Sequence, residues 1–461
     1  MLTIMKFSIK HILSTVALSL IGLVANSQAP NSLYFLNNPQ SHYLNPALTT
    51  DKGWVTLPLG GYFTINSDLG LGSFMTPYGD DKMRLFTHPE ISVKDAMSKF
   101  KDINSLEFET ATNLLTVGFN AWGGTNSIGL SMKMHGGFYI PKDIFRFLKE
   151  GQEADGDTEY KLDKFGGRMQ AYSEIALGHA RDINKKLTIG AKVKLILGLA
   201  YANANIDNMR IHMTDKEWNI EHNTSIVTSQ ALDLRTNNDG EIDDVEFKAK
   251  LGGFGLGLDL GATYKIMDNL NVSLAITDIG FINWDNASVI CNRGKSFSYK
   301  GFDNIAAEDS QDFEDAAEEI GDDLKELIKF DRDQSATSKT TSLYTTFRAG
   351  ADYGVLKNKI TFGLLVSSRV GAPKYYSEGM LTVNFKPAKS FGAAINGSVS
   401  NVRSSVGATI TLGNFFIGAD YILTKFSKQF IPVDASKFSF ASGVSFRFGS
   451  SRKKNFEAKD I

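Results

Sequence analysis

Cysteine, proline and long apolar runs are scarce in this chain. Cys291 is the only cysteine among 461 residues, so no internal disulfide can form. After residues 1–27, no uninterrupted apolar stretch approaches the ~18 residues that a membrane helix requires. The net charge of −2 and the pI of about 6.4 give no basic footprint for nucleic acid, so no nucleic-acid partner is expected.

Motifs of enzyme chemistry are missing as well. The sequence contains no G-x-S-x-G elbow, no H-E-x-x-H pair and no P-loop, and its histidines are scattered without metal-ligand spacing. Residues 235–246 match an EF-hand loop at several positions, but Arg235 occupies the leading position, where calcium needs a carboxylate. We favour an acidic hairpin turn at 238–240, and we expect no enzyme, no catalytic residue, no metal site and no cofactor.

Residues 1–27 are typical of a secretory signal peptide. Lys6, Lys10 and His11 precede a short apolar run at 12–24, and small residues follow it. The run is too short to span a bilayer, and no cysteine follows it to carry a lipid anchor. We divide the remaining chain into a lead-in or hatch segment at 28–53, a barrel at 54–448 and a polar tail at 449–461.

Glycines at alternate positions in 253–261 raise the question of a phosphate-binding loop. A dinucleotide fingerprint needs the spacing G-x-G-x-x-G between a strand and a helix. Here the bulky residues between the glycines, such as Phe254, Leu256 and Leu258, also recur at every second position. This period indicates a pleated strand with one apolar face and one nearly bare face.

The same alternation extends over most of the chain that follows the signal. In 188–199, apolar residues alternate with glycines and with Lys192 and Lys194. A soluble sandwich has one or two such strands, whereas a transmembrane barrel has many, with one face toward lipid and the other toward the lumen. We therefore predict an all-β membrane fold, a closed antiparallel transmembrane β-barrel of about fourteen strands (12–16), with short helices in its long loops. The strands are predicted at 54–65, 110–122, 125–140, 160–183, 186–203, 246–267, 270–283, 341–353, 360–370, 379–386, 391–400, 405–412, 415–424 and 437–448.

Short links join many of the predicted strands, whereas a few connections are long. Outer-membrane barrels have short periplasmic turns and long extracellular loops. A secreted transmembrane barrel is expected in the outer membrane of a Gram-negative bacterium, and the positions of the short links then place the C-terminus in the periplasm. The segment 205–233 either adds a hairpin to the wall or extends it outward, and 141–151 is predicted to be a short helix between Pro141 and Gly151.

Charged and aromatic residues supply the candidate functional positions. Lys192, Lys194 and Arg348 are predicted to line the lumen, where they either tune solute passage or are ordinary solvated residues. Phe446 and Phe448 end the last strand and are the candidate signal for the barrel-assembly machinery. That machinery and outer-membrane lipid are the expected partners.

The segment 310–330 carries apolar residues at spacings of three and four, which is typical of an amphipathic helix with an acidic opposite face. Strand parity places both ends of this segment on the outer side. We predict that the helix covers or enters the barrel mouth as a gate. The alternative is a solvated acidic loop.

Four stretches resemble a family of Bacteroidota outer-membrane proteins known only as a domain of unknown function. They are "SLYFLNNPQSHYLNPAL" (32–48), "AYSEIALGHARDINKKLTIGAKVKLILG" (171–198), "GLGLDLGATYKIMDNLNVSLAITDIGFINW" (255–284) and "FRAGADYGVLKNKITFGLLVSS" (347–368). The resemblance implies an outer-membrane barrel broadly similar to the fatty-acid-transporter type, with fourteen strands. It implies no substrate and no functional residue.

Two functions of different class follow from a membrane barrel. The first is a gated channel or transporter for small or hydrophobic ligands, which a continuous lumen with a ligand-sized apolar pocket would favour. The second is a structural or adaptor barrel that transports nothing and serves a secretion, motility or surface assembly. A lumen filled by side chains, with a conspicuous apolar patch on the outer or periplasmic side, would favour the second. The sequence alone favours the first.

Overall fold

The computed structural model is an all-β barrel with a few short helices. It describes residues 31–58, 61–78, 82–152, 157–229, 231–237, 242–248, 250–285, 288–299, 331–333, 338–371, 375–388, 390–401, 404–421 and 437–452. Over those ranges, no helix is both long and apolar enough to cross a membrane.

The described ranges contain 24 strands, three short α-helices and two 3-10 helices. The helices are η1 Asn31–Phe35, η2 Pro39–Tyr43, α1 Leu71–Phe74, α2 Val93–Met97 and α3 Lys142–Glu150. The strands are β1 Gly53–Leu57, β2 Gly61–Ser67, β3 Met75–Tyr78, β4 Lys82–Leu85, β5 Ile103–Ala121, β6 Gly124–Pro141, β7 Thr158–Lys161, β8 Phe165–Asp182, β9 Leu187–Met213, β10 Trp218–Thr228, β11 Leu232–Thr236, β12 Ile242–Phe247, β13 Gly253–Met267, β14 Leu270–Asp285, β15 Ser288–Tyr299, β16 Asp331–Asp333, β17 Ser338–Ser342, β18 Thr345–Val355, β19 Ile360–Val370, β20 Tyr376–Ala388, β21 Phe391–Ser400, β22 Ser404–Leu412, β23 Phe415–Tyr421 and β24 Lys437–Phe448.

The barrel closes because the last strand pairs with the first. β24 runs antiparallel to β1, with Phe448 opposite Gly53, and to β2, with Phe438 opposite Ile65. Around the ring the order is β1 with β2, then β5, β6, β8, β9, β13, β14, β17 with β18, and β19 to β24. Since β1 and β2 share one place, as do β17 and β18, the barrel has 14 strands, which confirms the prediction.

Side chains of the wall alternate between an apolar outside and a polar inside. On β9, Leu195 is 43% exposed and Lys194 only 3%, and on β21, Ile395 is 69% exposed and Asn396 only 6%. Successive side chains of a strand point to opposite faces, so each strand contributes to both surfaces. An apolar outer face with a polar interior is the arrangement of a barrel surrounded by lipid.

Tight turns lie at one end of the barrel and long excursions at the other. The turn end includes the links at 122–123, 183–186, 268–269, 356–359 and 413–414, together with the end of β24. Gly123 and Gly413 have φ angles of 72° and 59° there, a region in which glycine avoids the strain of an L side chain. The opposite end is called the loop end below.

Aromatic residues of two excursions form a small folded layer at the loop end. The excursion between β2 and β5 contributes Phe74, Phe86 and Phe100, and α3 contributes Phe145. The Phe100 and Phe145 rings stack with centroids 4.1 Å apart. Full burial of a phenylalanine stabilises by roughly 1.5–3 kcal/mol, so this cluster orders both excursions. The helix predicted at 141–151 is confirmed as α3, with Pro141 and Gly151 flanking it.

The prediction of one strand at 246–267 is wrong. Residues up to Phe247 belong to β12, whose one partner strand among the described residues is β11, in a separate hairpin, whereas β13 begins at Gly253. Alternation persists through both strands because each has an apolar face, so periodicity does not show where a chain changes partners. Other predicted strands are each interrupted once, 54–65 after Leu57, 160–183 after Lys161 and 341–353 after Ser342.

The segment 205–233 extends the wall outward rather than adding a hairpin to the ring. β9 continues to Met213, and β10 pairs with this upper part of β9. On its other side, β10 pairs with β15, which follows β14. The resulting sheet rises above the ring at the loop end and is outside the 14-strand closure.

Candidate functional site in the barrel lumen

Residues 31–50, called the plug segment here, lie inside the lumen. Tyr34 Oη donates to Ser273 Oγ on β14 at 2.9 Å, and Gln40 Nε2 donates to Ser445 Oγ on β24 at 3.3 Å. β14 and β24 are seven places apart in the ring of 14, so these contacts reach opposite walls. The plug segment therefore crosses the lumen. Of the two arrangements left open for 28–53, its described part occupies the interior.

Apolar side chains hold one side of the plug segment. Leu33 and Leu44 are 0% and 1% exposed. With Tyr34 and Leu36 they form one cluster against inward residues of the wall, namely Leu365, Met380, Ala394, Phe416 and Ala441. Burial of a leucine side chain stabilises by roughly 1.5–3 kcal/mol, so this cluster supplies most of the non-directional attachment.

Lys192 on β9 holds the other side of the plug segment. Its Nζ donates to the His42 carbonyl oxygen at 2.6 Å and lies 4.9 Å from the centroid of the Tyr43 ring. The lysine is 4% exposed, so both contacts are made away from water, where they are stronger. Burial lowers the pKa of His42, and the Lys192 ammonium lowers it further. His42 is therefore neutral, and its Nδ1 donates to the Pro39 carbonyl at 2.6 Å.

Two glycines of the wall make room for the plug segment. A β-carbon on Gly261 would overlap Asn45 Oδ1 and lie 2.9 Å from Pro46 Cδ. A β-carbon on Gly190 would lie 2.5 Å from the Pro46 carbonyl carbon. The Asn45 Nδ2 donates to the Ala262 carbonyl oxygen at 3.4 Å. At these positions, the bare face of the glycine-rich strands has a steric role rather than a phosphate-binding one.

A buried ion-pair cluster lies on the wall beside Lys192. Lys194 Nζ is 2.7 Å from Asp259 Oδ1 and 2.8 Å from Asp278 Oδ1. Lys133 Nζ is 2.9 Å from the same Asp278 oxygen and 3.1 Å from Glu174 Oε2. Asp278 thus bridges the two lysines. The other four side chains of the cluster are each at most 4% exposed, and their mutual pairing compensates the cost of burying their charges.

An irregularity in β14 brings Asp278 into this cluster. The register between β13 and β14 shifts next to Asp259, so that β14 has an extra residue there. Asp278 has a φ of 60°, and its backbone N–H donates to Asp259 Oδ1 at 2.7 Å. The bulge therefore aims a carboxylate inward at a position where simple alternation along β14 would not place it.

A cavity of about 100 Å³ lies above the plug segment, toward the loop end. Asn31 and Leu44 form part of its lining, and the wall contributes charged groups including Glu109, Arg348 and Arg369. Arg369 Nη1 is 2.5 Å from Glu109 Oε2. One buried water needs about 10–15 Å³ on this measure, so the cavity has room for several water molecules or one small solute. Because apolar groups do not compensate buried charges, this lining suits a small polar solute better than a hydrophobic one.

The three lumen-lining candidates face the interior but form three separate environments. Lys192 contacts the plug segment, Lys194 belongs to the ion-pair cluster, and Arg348 lines the cavity. Phe446 and Phe448 are 46% and 45% exposed on the outer face.

Several predictions fall wholly or partly outside the described residues. They concern the signal peptide at 1–27, the gating helix at 310–330 and the part of the tail at 453–461. Within 235–246, β11 and β12 form an antiparallel hairpin in which Arg235 donates to the Glu246 carboxylate, whereas 238–241 are not described.

Sequence reasoning missed Lys133, Glu174, Asp259 and Asp278 as site residues. The alternating strands indicated that the first three face the lumen, but no local signal showed that they meet. Asp278 gave no signal, because its inward orientation depends on the bulge. The contacts of the plug segment were also missed, because the glycines at 253–261 indicated only a bare strand face and nothing in the sequence connected them with Asn45.

Comparison with known families identifies the chain. The model of a family of unknown function, DUF5723, matches residues 46–420. The chain belongs to this family. The match leaves out residues 31–45 of the plug segment and β24, so it covers nearly the whole ring. The sequence matches no curated protein.

Solved barrels show a distant likeness to this DUF5723 chain. A FadL homologue of Pseudomonas aeruginosa has a TM-score of 0.43 at 11% identity, covering 92% of this chain and 97% of that one. The toluene transporter TbuX of Ralstonia pickettii has a TM-score of 0.42 at 8% identity, covering 93% and 96%. The toluene transporter TodX of P. putida has a TM-score of 0.41 at 8% identity, covering 93% and 97%. The fold assignment rests on the strand pairing above and not on these values.

Proposed function

We propose that the protein is an outer-membrane β-barrel transporter of small polar solutes that its own plug segment closes. The observation that carries the proposal is the position of the plug segment, which crosses the lumen directly below a polar cavity. Short turns of such barrels are periplasmic, so the turn end and the C-terminus are assigned to the periplasm. The cavity then faces outward and the plug segment separates it from the periplasm.

The attachment of the plug segment supports a role as a movable closure. In the described ranges, no backbone–backbone hydrogen bond joins residues 31–50 to a wall strand. Its polar contacts are made by side chains such as Lys192, Tyr34 and Gln40. Moving the segment therefore breaks no strand ladder, and water can replace each lost hydrogen bond at a net cost of about 0.5–1.5 kcal/mol.

The charge of the cavity lining favours one of the two ligand classes expected from the sequence. A hydrophobic ligand would strip water from Arg348, Arg369 and the carboxylates around them without replacing its hydrogen bonds. A small polar solute replaces those hydrogen bonds. We therefore propose polar solutes as the cargo, in place of the hydrophobic ligands that the sequence also allowed.

A bulky residue at Gly261 tests the closure. Its nearest neighbours are Asn45 and Pro46 of the plug segment, so Gly261→Val displaces the plug and leaves the wall intact. We expect planar-bilayer conductance of the purified protein to rise at least severalfold. The matched control is Gly397→Val, because nothing lies within 4 Å of a β-carbon on Gly397. Equal conductance of wild type and a folded Gly261→Val barrel would mean that the plug segment does not close a pore.

We also propose that Phe446 and Phe448 signal to the barrel-assembly machinery. β24 closes the ring, and Phe448 lies opposite Gly53 at this seam with its ring on the outer face. Phe448→Ala or Phe446→Ala should lower the amount of protein inserted in the outer membrane, whereas removal of 450–461 should not. Normal insertion of Phe448→Ala and of Phe446→Ala would refute this role.

A structural or adaptor barrel is the second candidate, and the folded layer at the loop end favours it. Phe74, Phe86, Phe100 and Phe145 give this layer its own apolar core, which a passive loop does not need. Under this alternative the plug segment is permanent. Gly261→Val would then destabilise the protein without opening a conductance, which separates the two candidates.

A further inference from the structure

Three side chains form a row on the cavity wall. Arg348 on β18 pairs with Ser367 on β19, and Ser367 pairs with Glu378 on β20. Paired residues of antiparallel strands have Cα atoms roughly 4.5–5.5 Å apart, and all three side chains share the inner face. The long side chains of Arg348 and Glu378 therefore flank the short Ser367. They form a cradle that carries a cation on one side and a carboxylate on the other.

The plug segment places one side chain in this cradle. Arg348 Nε donates to Asn31 Oδ1 at 3.4 Å, and Asn31 Nδ2 donates to Glu378 Oε2 at 2.9 Å. A single carboxamide thus presents its acceptor to the arginine and its donor to the glutamate. Asn31 occupies the cradle in the way that a ligand with an acceptor and a donor on adjoining atoms would.

Arg348 lacks the counter-charge that the neighbouring arginine has. Arg348 is 9% exposed, and its other hydrogen bond goes from Nη1 to the neutral Thr277 Oγ1 at 3.1 Å. No carboxylate of the described ranges forms an ion pair with it, whereas Arg369, in the same cavity, pairs with Glu109. A buried guanidinium held only by neutral groups is costly, and an anionic group of a solute would relieve that cost.

We propose that the Arg348–Ser367–Glu378 cradle binds a small zwitterion of the α-amino acid type. The carboxylate of the solute contacts Arg348, its ammonium contacts Glu378, and Asn31 occupies the cradle when no solute is bound. Charge-assisted hydrogen bonds are roughly twice as strong as neutral ones, so the zwitterion displaces the carboxamide. The inference rests on the proposed function and deepens it by naming the class of cargo.

The opposite charges of the cradle explain why one charge on the solute is not enough. A simple carboxylate would satisfy Arg348 and be repelled by Glu378. A simple amine would contact Glu378 and be repelled by Arg348. Only a solute that carries both charges a short distance apart is attracted by both side chains of the cradle. Binding of the solute is also linked to the position of the plug segment, because the Asn31 side chain must leave the cradle before the solute enters.

Equilibrium dialysis of the full-length protein in detergent with radiolabelled alanine tests the proposal. We expect Asn31→Ala to bind alanine about tenfold more tightly than wild type, because the competing carboxamide is removed. In the Asn31→Ala protein, Arg348→Gln and Glu378→Gln should each weaken binding at least tenfold. The matched control is Arg452→Gln, since Arg452 contacts Asp182 at the turn end, away from the cavity. This control should bind alanine like its parent.

Competition by propionate and by ethylamine completes the experiment and needs no change to the barrel wall. Each should displace alanine from Asn31→Ala at least tenfold less well than unlabelled alanine does. Absence of saturable binding to Asn31→Ala overturns the proposal, as does propionate competing as well as alanine, which would reveal an anion site only. Dialysis requires no transport. Alanine binding without conductance in Gly261→Val would therefore refute the proposed function alone, and conductance without alanine binding would refute this inference alone.

Discussion

Two walls of the lumen face the plug segment with different chemistry. The wall from β6 to β14 carries the inward charged side chains Lys133, Glu174, Lys192, Lys194, Asp259 and Asp278. On β21, β22 and β24 the buried inward side chains are uncharged, namely Ala394, Asn396, Ser398, Ser405, Thr409, Ser439, Ala441 and Ser445. The first is called the charged wall and the second the neutral wall.

The plug segment uses each wall in a different way. Toward the charged wall it offers the His42 carbonyl to Lys192 and the Tyr43 ring to the same ammonium. Its leucines pack on residues of the neutral side and its neighbours, such as Ala394 and Phe416. Apolar contact tolerates sliding, whereas the hydrogen bond from Lys192 to the His42 carbonyl oxygen is directional. The charged wall therefore holds the plug segment through a buried ammonium group. The neutral wall holds it through apolar contacts, the Gln40–Ser445 hydrogen bond and the exposed Arg447, which donates to the Asn37 carbonyl oxygen at 3.1 Å.

Removing Asp278 should have the largest effect on the difference between the walls. Asp278 contacts Lys133 and Lys194, so Asp278→Ala leaves two buried ammonium groups with fewer counter-charges. Breaking a buried ion pair by removing one partner costs about 3–5 kcal/mol. We expect a loss of this size in the free energy of unfolding, measured by urea titration of the barrel in lipid vesicles.

Ser445→Ala is the corresponding change on the neutral wall. Ser445 Oγ lies 3.0 Å from Thr56 Oγ1 and accepts a hydrogen bond from Gln40. Loss of neutral hydrogen bonds costs about 0.5–1.5 kcal/mol in the same titration. If Asp278→Ala and Ser445→Ala reduce the free energy of unfolding equally, the charged wall has no special role in stability.

Charged residues placed on the outer face should show that the difference between the charged wall and the neutral wall is confined to the lumen. Leu195 lies outside the charged wall and Ile395 outside the neutral wall, and they are 43% and 69% exposed. An arginine near the bilayer midplane costs about 2–4 kcal/mol, whatever lies on the inner face. We expect Leu195→Arg and Ile395→Arg to lower the free energy of unfolding in lipid vesicles to a similar extent. A large effect of only one of them would mean that lumen charge influences the outer surface.

Local periodicity predicted the wall well and the pairing poorly. The period of two on β9 is enough to put Leu195 outside and Lys194 inside, because a strand in lipid must offer an apolar face. It did not reveal that β12 lies outside the ring and that the ring strand β13 begins only at Gly253, since both strands alternate. Nor did it reveal the pairing of Lys133 with Asp278, which are separated by 145 residues and meet only after closure and bulging of β14.

The sequence by itself determined that the chain alternates between an apolar and a polar face often enough to close a barrel of 14 strands. This alternation is a local property, because each strand meets lipid on one side and the lumen on the other. Only the tertiary structure decided what fills the lumen. Asn31 reaches Arg348 across 317 residues of chain, and Asn45 meets Gly261 in space that two strands leave free. Such contacts depend on the curvature and register of the closed sheet, and no repeat along the chain records them.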